Sequence, residues 1–357
     1  MNRELVDKIA SATLYEGYIL YPYRPSVKNQ QRWTFGGIYP RAWNESGHET
    51  DAHAMQTEVL VTGTGGVWLR VIIRFLHLVD RTVGKFSRPR AEFPANGLCD
   101  YQVVESLDAD GKRHRPWQEA MEREVDAGEF ELNDLTAKPA SRAFFFPQER
   151  TSEPLKSADG EYVGVLVRQR RAIHGVIEIS AVKMAGDLHR ISVKVLNRTK
   201  LDDAQNSTRD NALMRSLVSM HVLLGAREGE FVSSTDVPEP LRASSAECHN
   251  TGLWPALIGT GNEHDTMLAA PIILYDYPQL APESPGELFD STEIDEILTL
   301  RILTLTDDEK REAASIDPRA RDLLARSESL AQEQLMNLHG TMRGLRPVPA
   351  AQEQTHG

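Results

Sequence analysis

Cysteine is almost missing from this 357-residue chain: there are two, Cys99 and Cys248, and no Cys-x-x-Cys pair. That excludes a zinc ribbon, a thioredoxin-like motif and an iron–sulfur cluster held by this chain alone, since each needs clustered thiolates. Long apolar runs are missing too, and nothing approaches the ~20 residues that a membrane-spanning helix requires. The opening residues, Met1-Asn2-Arg3-Glu4-Leu5-Val6-Asp7-Lys8, carry acids where a signal peptide is apolar. Positive charge is in deficit, with 40 Lys and Arg against 52 Asp and Glu and a net charge of −12. An extended nucleic-acid or acidic-membrane surface is therefore not expected. The glycosylation-type triplets at Asn44, Asn197 and Asn206 carry no meaning without a secretory signal. These deficits together give the expectation of an acidic, soluble, cytoplasmic protein.

Nucleotide and nucleophile signatures are equally scarce. Gly63-Thr64-Gly65-Gly66 stops short of Gly-x-Gly-x-x-Gly, with Trp68 where the third glycine belongs, and it links two strands rather than a strand and a helix. No P-loop and no Gly-x-Ser-x-Gly elbow occurs. Asp108-Ala109-Asp110-Gly111-Lys112 lacks the third acid and terminal Glu of a calcium loop and reads as a turn. No motif requires a cofactor.

What is present is an ordinary globular composition, 40% hydrophobic and 26% charged. Leu5, Val6 and Ile9 mark a short opening helix. Residues 58–80 alternate with period two: Leu69, Val71, Ile73, Phe75 and Val79 take one face, Arg70 and Arg74 the other, and residues 63–66 form a hairpin-like turn. His77 lies on the apolar face and reads as a core histidine. Residues 116–131 read as an acidic helix starting near Trp117, and 142–148 as a short strand or loop. Strands are expected at 162–168, 175–183 and 188–197, the last two joined by a turn at Ala185-Gly186-Asp187. Leu213, Leu217, Met220 and Leu224 then take helical spacing, with Thr208 or Asp210 as cap, Gly225 as stop and His221 on the flank. A short helix over 241–247, a strand over 271–275, a helix over 293–299, a strand over 300–305, a capping box at Thr306–Glu309 and a last helix opened by Asp317-Pro318 and running to about Leu338 complete the pattern.

Short turns between successive strands favour antiparallel pairing. The expected class is α+β: an antiparallel β-sandwich or partly closed β-barrel body over residues 1–200, a mixed helical part over 201–343, and a disordered tail from 344 to 357. The acidic character concentrates late, with thirteen acids against six bases between residues 281 and 330.

Candidate sites fall into three groups. Eight of the twenty-four aromatics lie between Tyr15 and Trp43. They either plug the open end of a β-body or, with Tyr21, Tyr23, Arg24 and Trp33 as anchors, form a docking surface. Tyr275, Asp276, Tyr277, Glu283, Phe289, Asp290, Glu293 and Glu296 form a second, carboxylate-rich set. Glu293 and Glu296 share a helix face, so the pair either holds one hard cation, complements the helix dipole or meets a basic partner. Third, Cys248 and His249, with His264 or Asp265, make a metal set if the fold gathers them; otherwise Cys248 is a partly buried thiol beside a surface histidine. Two basic clusters, Lys112–Arg115 and Arg168–Arg171, read as solvated faces or anion sites.

Two strings carry a resemblance. One is Tyr15-Glu16-Gly17-Tyr18-Ile19-Leu20-Tyr21-Pro22-Tyr23-Arg24, continuing to Arg32-Trp33-Thr34-Phe35-Gly36. The other runs from Pro271-Ile272-Ile273-Leu274-Tyr275-Asp276 through Ala281-Pro282-Glu283-Ser284-Pro285-Gly286-Glu287-Leu288-Phe289-Asp290 to Thr292-Glu293-Ile294-Asp295-Glu296-Ile297-Leu298. Together they resemble an uncharacterised protein family associated with gene clusters of high-affinity nickel–iron hydrogenases, over about residues 13 to 330. The resemblance carries over no catalytic residue. It implies an accessory, assembly or maturation protein, because two isolated cysteines supply neither the nickel–iron centre nor the clusters of the hydrogenase itself. The expected function is thus a non-catalytic accessory protein with a protein partner, hydrogenase subunits or maturation proteins. The alternatives are a metal-binding enzyme or metal carrier using Cys248, His249 and nearby carboxylates, and a ligand-binding β-sandwich.

Overall fold

A computed structural model describes residues 1–14, 36–94, 97, 99–261, 263–278 and 305–314, with 321, 324 and 325. The strands are β1 (Ala54–Thr62), β2 (Trp68–Arg90), β3 (Gln102–Val104), β4 (Leu107–Ala109), β5 (Lys112–His114), β6 (Trp117–Glu131), β7 (Ala140–Phe146), β8 (Glu149–Lys156) and β9 (Tyr162–Arg170). They continue with β10 (Ile173–Lys183), β11 (Leu188–Asn197), β12 (Val218–Arg227), β13 (Glu230–Phe231), β14 (Trp254–Leu257) and β15 (Thr266–Ala270). Around them lie helices α1 (Arg3–Leu14), α2 (Arg41–Glu45), α3 (Leu132–Ala137), α4 (Arg209–Leu213), α5 (Arg242–Ala246) and α6 (Asp307–Ala314).

Two antiparallel sheets make the body. The smaller has the order β13-β1-β11-β10-β7; the larger runs β14-β15-β12-β2-β9-β8, with β3 and β6 also on β2. Inward side chains of both interleave in one core: Val59 and Val61 of β1, Ile177 and Ile179 of β10 and Val193 and Val195 of β11 meet Val71, Ile73 and Phe75 of β2 and Val222 and Leu224 of β12. This is a sandwich, and it does not close into a barrel. The back of the larger sheet is covered by α1, whose Val6, Ile9 and Ala10 pack on Ile72, Leu223, Leu268 and Ala270.

β2 is the spine. Its first part pairs β6 on one side and β12 on the other; its last part pairs β9 and β3. The period-two pattern places Val71, Ile73 and Phe75 inward as expected, and His77 is fully buried. The turn at 63–66 is not a hairpin. It carries the chain from β1 in one sheet to β2 in the other, and the Gly63 N–H donates to the Asp187 carbonyl.

The expected helix over 116–131 is instead β6, in register with β2 from Arg81↔Trp117 to Trp68↔Glu131. Its acids made it look helical, but they form a cross-strand ion-pair ladder: Arg81–Glu119 at 2.8 Å, Arg74–Glu124 at 2.7 Å and Arg70–Asp126 at 2.6 Å. The helix expected through Leu224 stops at Leu213. Thr208 does cap it, its Oγ1 accepting the Asn211 N–H at 3.2 Å. Residues 218–227 then form β12, buried on both faces, and helical spacing in a continuous apolar run does not distinguish strand from helix. His221 therefore sits at the centre of a sheet rather than on a helix flank. The strand expected at 271–275 does not form: β15 ends at Ala270, where Pro271 has no N–H to continue the ladder, and residues 271–275 are irregular. β12, β14 and β15, which fall after residue 200, hydrogen-bond within the same sheet as β2.

The strands at 162–170, 173–183 and 188–197 and the turn at 185–187 match expectation. So does the capping box: Glu309 Oε2 accepts the Thr306 N–H at 2.8 Å and Thr306 Oγ1 accepts the Glu309 N–H at 3.3 Å. The expected helix at 293–299, the strand at 300–305 apart from Leu305, and the tail from 344 lie outside the described residues. No described helix is long and apolar enough to cross a membrane.

Candidate functional site

The first site grows from the edge of the larger sheet. β14 pairs β15 in antiparallel register, Trp254↔Ala270 to Leu257↔Met267, and the chain then folds back at Pro271. Leu274 is buried against the α1 cluster. Two residues on, Asp276 is held from several directions: Oδ1 accepts the Leu257 N–H at 2.8 Å, while Oδ2 accepts the Thr235 hydroxyl at 2.8 Å and the Ser233 hydroxyl. The Tyr277 N–H donates to the Leu257 carbonyl at 2.7 Å, and its hydroxyl meets His264 Nε2 at 3.2 Å.

Tyr277 adopts φ 56°, a left-handed conformation unfavourable for a bulky residue, and these bonds hold it there. Between the buried Leu274 and the pinned Asp276, Tyr275 stands 83% exposed; Ile273 is 71% exposed. The sequence pointed to Tyr275, Asp276 and Tyr277 as a docking element. The geometry divides them: Tyr275 is presented, while Asp276 and Tyr277 fix the backbone that presents it. Tyr21, Tyr23, Arg24, Trp33, Glu283, Phe289, Asp290, Glu293 and Glu296 lie outside the described residues.

The proposed metal residues are engaged elsewhere. The Cys248 thiol is half-buried, 3.9 Å from the Ser244 carbonyl; burial, then the Glu58 charge, pushes its pKa up to about 11. It is therefore a protonated thiol near neutral pH, a weak ligand and nucleophile. His249 is exposed, and its backbone N–H donates to Glu58 Oε2 at 2.9 Å. His264 places Nδ1 3.3 Å from the Phe231 carbonyl, which only accepts, so Nδ1 donates and Nε2 accepts from Tyr277. Both ring nitrogens are then occupied.

Asp265 pairs with the Met1 ammonium at 2.8 Å. Burial would raise its pKa, but the ammonium and the Thr266 hydroxyl hold it below the usual carboxylate range. Among the described residues, no three His, Cys, Asp or Glu side chains are grouped to hold a metal ion.

A second site is assembled from residues distant in sequence. Where the start of β10 meets the end of β11, a cleft of about 350 Å³ is lined by Arg171, His174, Arg198, Lys200, Arg215 and the exposed ring of Phe145. Of the Arg168–Arg171 cluster, Arg168 pairs with Glu119 and Glu153 and Arg170 with Glu149, while Arg171 turns to this cleft. The local signals are Arg171 of the Arg168–Arg171 cluster and Arg198-Thr199-Lys200 directly after β11.

No protein-family model matches the chain, and no curated protein matches it. Fold and sites together describe an antiparallel β-sandwich with one rigidly presented aromatic segment and one basic cleft.

Proposed function

We propose that this chain is a non-catalytic accessory protein that docks onto a protein partner through Tyr275 and the surrounding 271–278 segment. The partner is a metalloenzyme assembly of the nickel–iron hydrogenase type, as the resemblance of residues 15–36 and 271–298 implies. The observation that carries the docking reading is the presentation of Tyr275. A large aromatic 83% exposed on a backbone fixed by the Asp276 hydrogen bonds loses little conformational freedom on binding. Trp254, 42% exposed, supplies a further aromatic on the edge strand β14, whose Leu257 N–H and carbonyl bond the Asp276 side chain and the Tyr277 N–H.

The test is co-purification of the tagged full chain with hydrogenase subunits or maturation proteins from its native host. Tyr275→Ala is expected to lower recovery of that partner at least about tenfold with thermal stability unchanged, the behaviour of an interface anchor. Asp276→Ala is expected to lower recovery as well, by freeing the segment. Wild-type protein that recovers no such partner, or a Tyr275→Ala variant that recovers it fully, overturns the reading.

A further inference from the structure

The cleft at the ends of β10 and β11 concentrates positive charge in a protein whose net charge is −12. Arg171, Arg198, Lys200 and Arg215 all line it, and no carboxylate does. Among the described residues none of the four makes an ion pair; Asp80 and Asp202 act on Arg171 and Arg215 only at longer range. Arg171 and Arg215 are half-buried. Desolvation, followed by the Arg171 charge, lowers the pKa of Arg215. Two guanidiniums partly stripped of water and repelling each other are stabilised by an anion between them.

The backbone under these cations is held by buried polar groups. His77 Nε2 bonds the Arg171 carbonyl at 2.8 Å. Asn197, 1% exposed, donates to the Arg215 carbonyl at 2.8 Å and accepts the Thr199 N–H at 2.9 Å. The Arg198 N–H donates to the His174 carbonyl at 2.8 Å, and Arg215 Nη1 donates to the Asn211 carbonyl at 3.0 Å. The donors are thus arranged before any ligand arrives. On one wall Phe145 is 63% exposed and meets His174 edge-on, with ring centroids 6.4 Å apart.

We infer that this cleft binds a small molecule carrying phosphate next to a planar ring, with Arg171, Arg198, Lys200 and Arg215 on the phosphate and Phe145 against the ring. Guanidinium groups match phosphate oxygens in forked geometry, and four cations call for more than one negative charge. A volume of about 350 Å³ suits a compact ligand rather than a polynucleotide. The site is separate from the Tyr275 segment, and neither reading depends on the other.

The experiment is calorimetric titration of the full chain with inorganic pyrophosphate, ADP and citrate at low salt. Saturable one-to-one binding of pyrophosphate is expected, with ADP several-fold tighter. The Arg198→Ala/Lys200→Ala double variant, altered at two exposed positions, is expected to weaken both about tenfold or more while keeping the wild-type melting temperature. Phe145→Ala is expected to remove the advantage of ADP alone. Absence of binding by wild type at millimolar probe, or binding that the double variant leaves intact, overturns the site. Citrate binding as tightly as pyrophosphate overturns the assignment to phosphate, and ADP binding no tighter than pyrophosphate overturns the planar group.

Discussion

Lowering the pH from 7 to 5 is expected to remove about 2 kcal/mol of folding stability at each of two buried histidines, His77 and His221. Burial lowers both pKa values from 6.5 to about 4. For His77 the charges of Arg123 and Arg170 add to that, and for His221 the charge of Arg74. Neutral imidazole is therefore the folded form, whereas the unfolded chain takes up protons below about pH 6.5. In the window between 6.5 and 4 the unfolded state binds more protons, so stability is complete above it and falls as the pH drops through it.

The local geometry agrees. His77 Nε2 is committed to the Arg171 carbonyl, and its buried Nδ1 has no partner to receive a second N–H. His221 Nδ1 donates to the Ser219 carbonyl at 2.9 Å, so Nε2 accepts from Thr13 of α1 at 2.9 Å. Urea denaturation at pH 7, 6 and 5 measures the effect before most carboxylates titrate. His221→Leu is expected to remove about half of the pH dependence. A midpoint that stays constant between pH 7 and 5 would sink the assignment.

Much of the body was legible because one-side-buried strands write their period into the sequence. Ile191 to Val195 alternate inward and outward, as do Leu69 to Phe75 except that α1 covers the outward Ile72, and the short turn between β10 and β11 joins an antiparallel pair, whereas β9 and β10 fall in different sheets. Legibility failed where the environment on both faces was alike. β12 is apolar on each side, so its spacing matched a helix by coincidence. β6 is the opposite case. Its acids look like a solvated helical face until the arginines of β2, more than thirty-five residues away in sequence, are placed beside them.

Sites followed the same rule. Tyr275, Asp276 and Tyr277 are contiguous, so the sequence reads them together; in the structure the Asp276 carboxylate accepts the Leu257 N–H and the Thr235 hydroxyl and clamps the backbone. The basic cleft draws its lining from four separate segments around 145–148, 171–174, 198–200 and 215. No local window shows more than part of it, and only the pairing of β10 with β11 and β7 brings the parts together.

Asn197→Leu is expected to destabilise the fold by about 3 kcal/mol although it changes side-chain volume little. Asn197 ends β11 opposite Gly175, and its triplet with Arg198 and Thr199 has the form of a glycosylation acceptor. At 1% exposure the amide is out of reach of any such modification. It donates to the Ile38 and Arg215 carbonyls, each at 2.8 Å, and accepts the Thr199 N–H at 2.9 Å. Leucine removes both donors and the acceptor. Ile38 keeps the Leu217 N–H at 3.1 Å, so the loss falls mainly on the Arg215 carbonyl and the Thr199 N–H. Each such group left without its partner costs about 1–3 kcal/mol. The shift in urea midpoint measures the sum, and a change below about 1 kcal/mol would show that water replaces the amide. The same residue holds Arg215 and Thr199 at the basic cleft. The variant is therefore expected to bind pyrophosphate more weakly even under conditions where it remains folded, because the cations keep their charge and lose their placement.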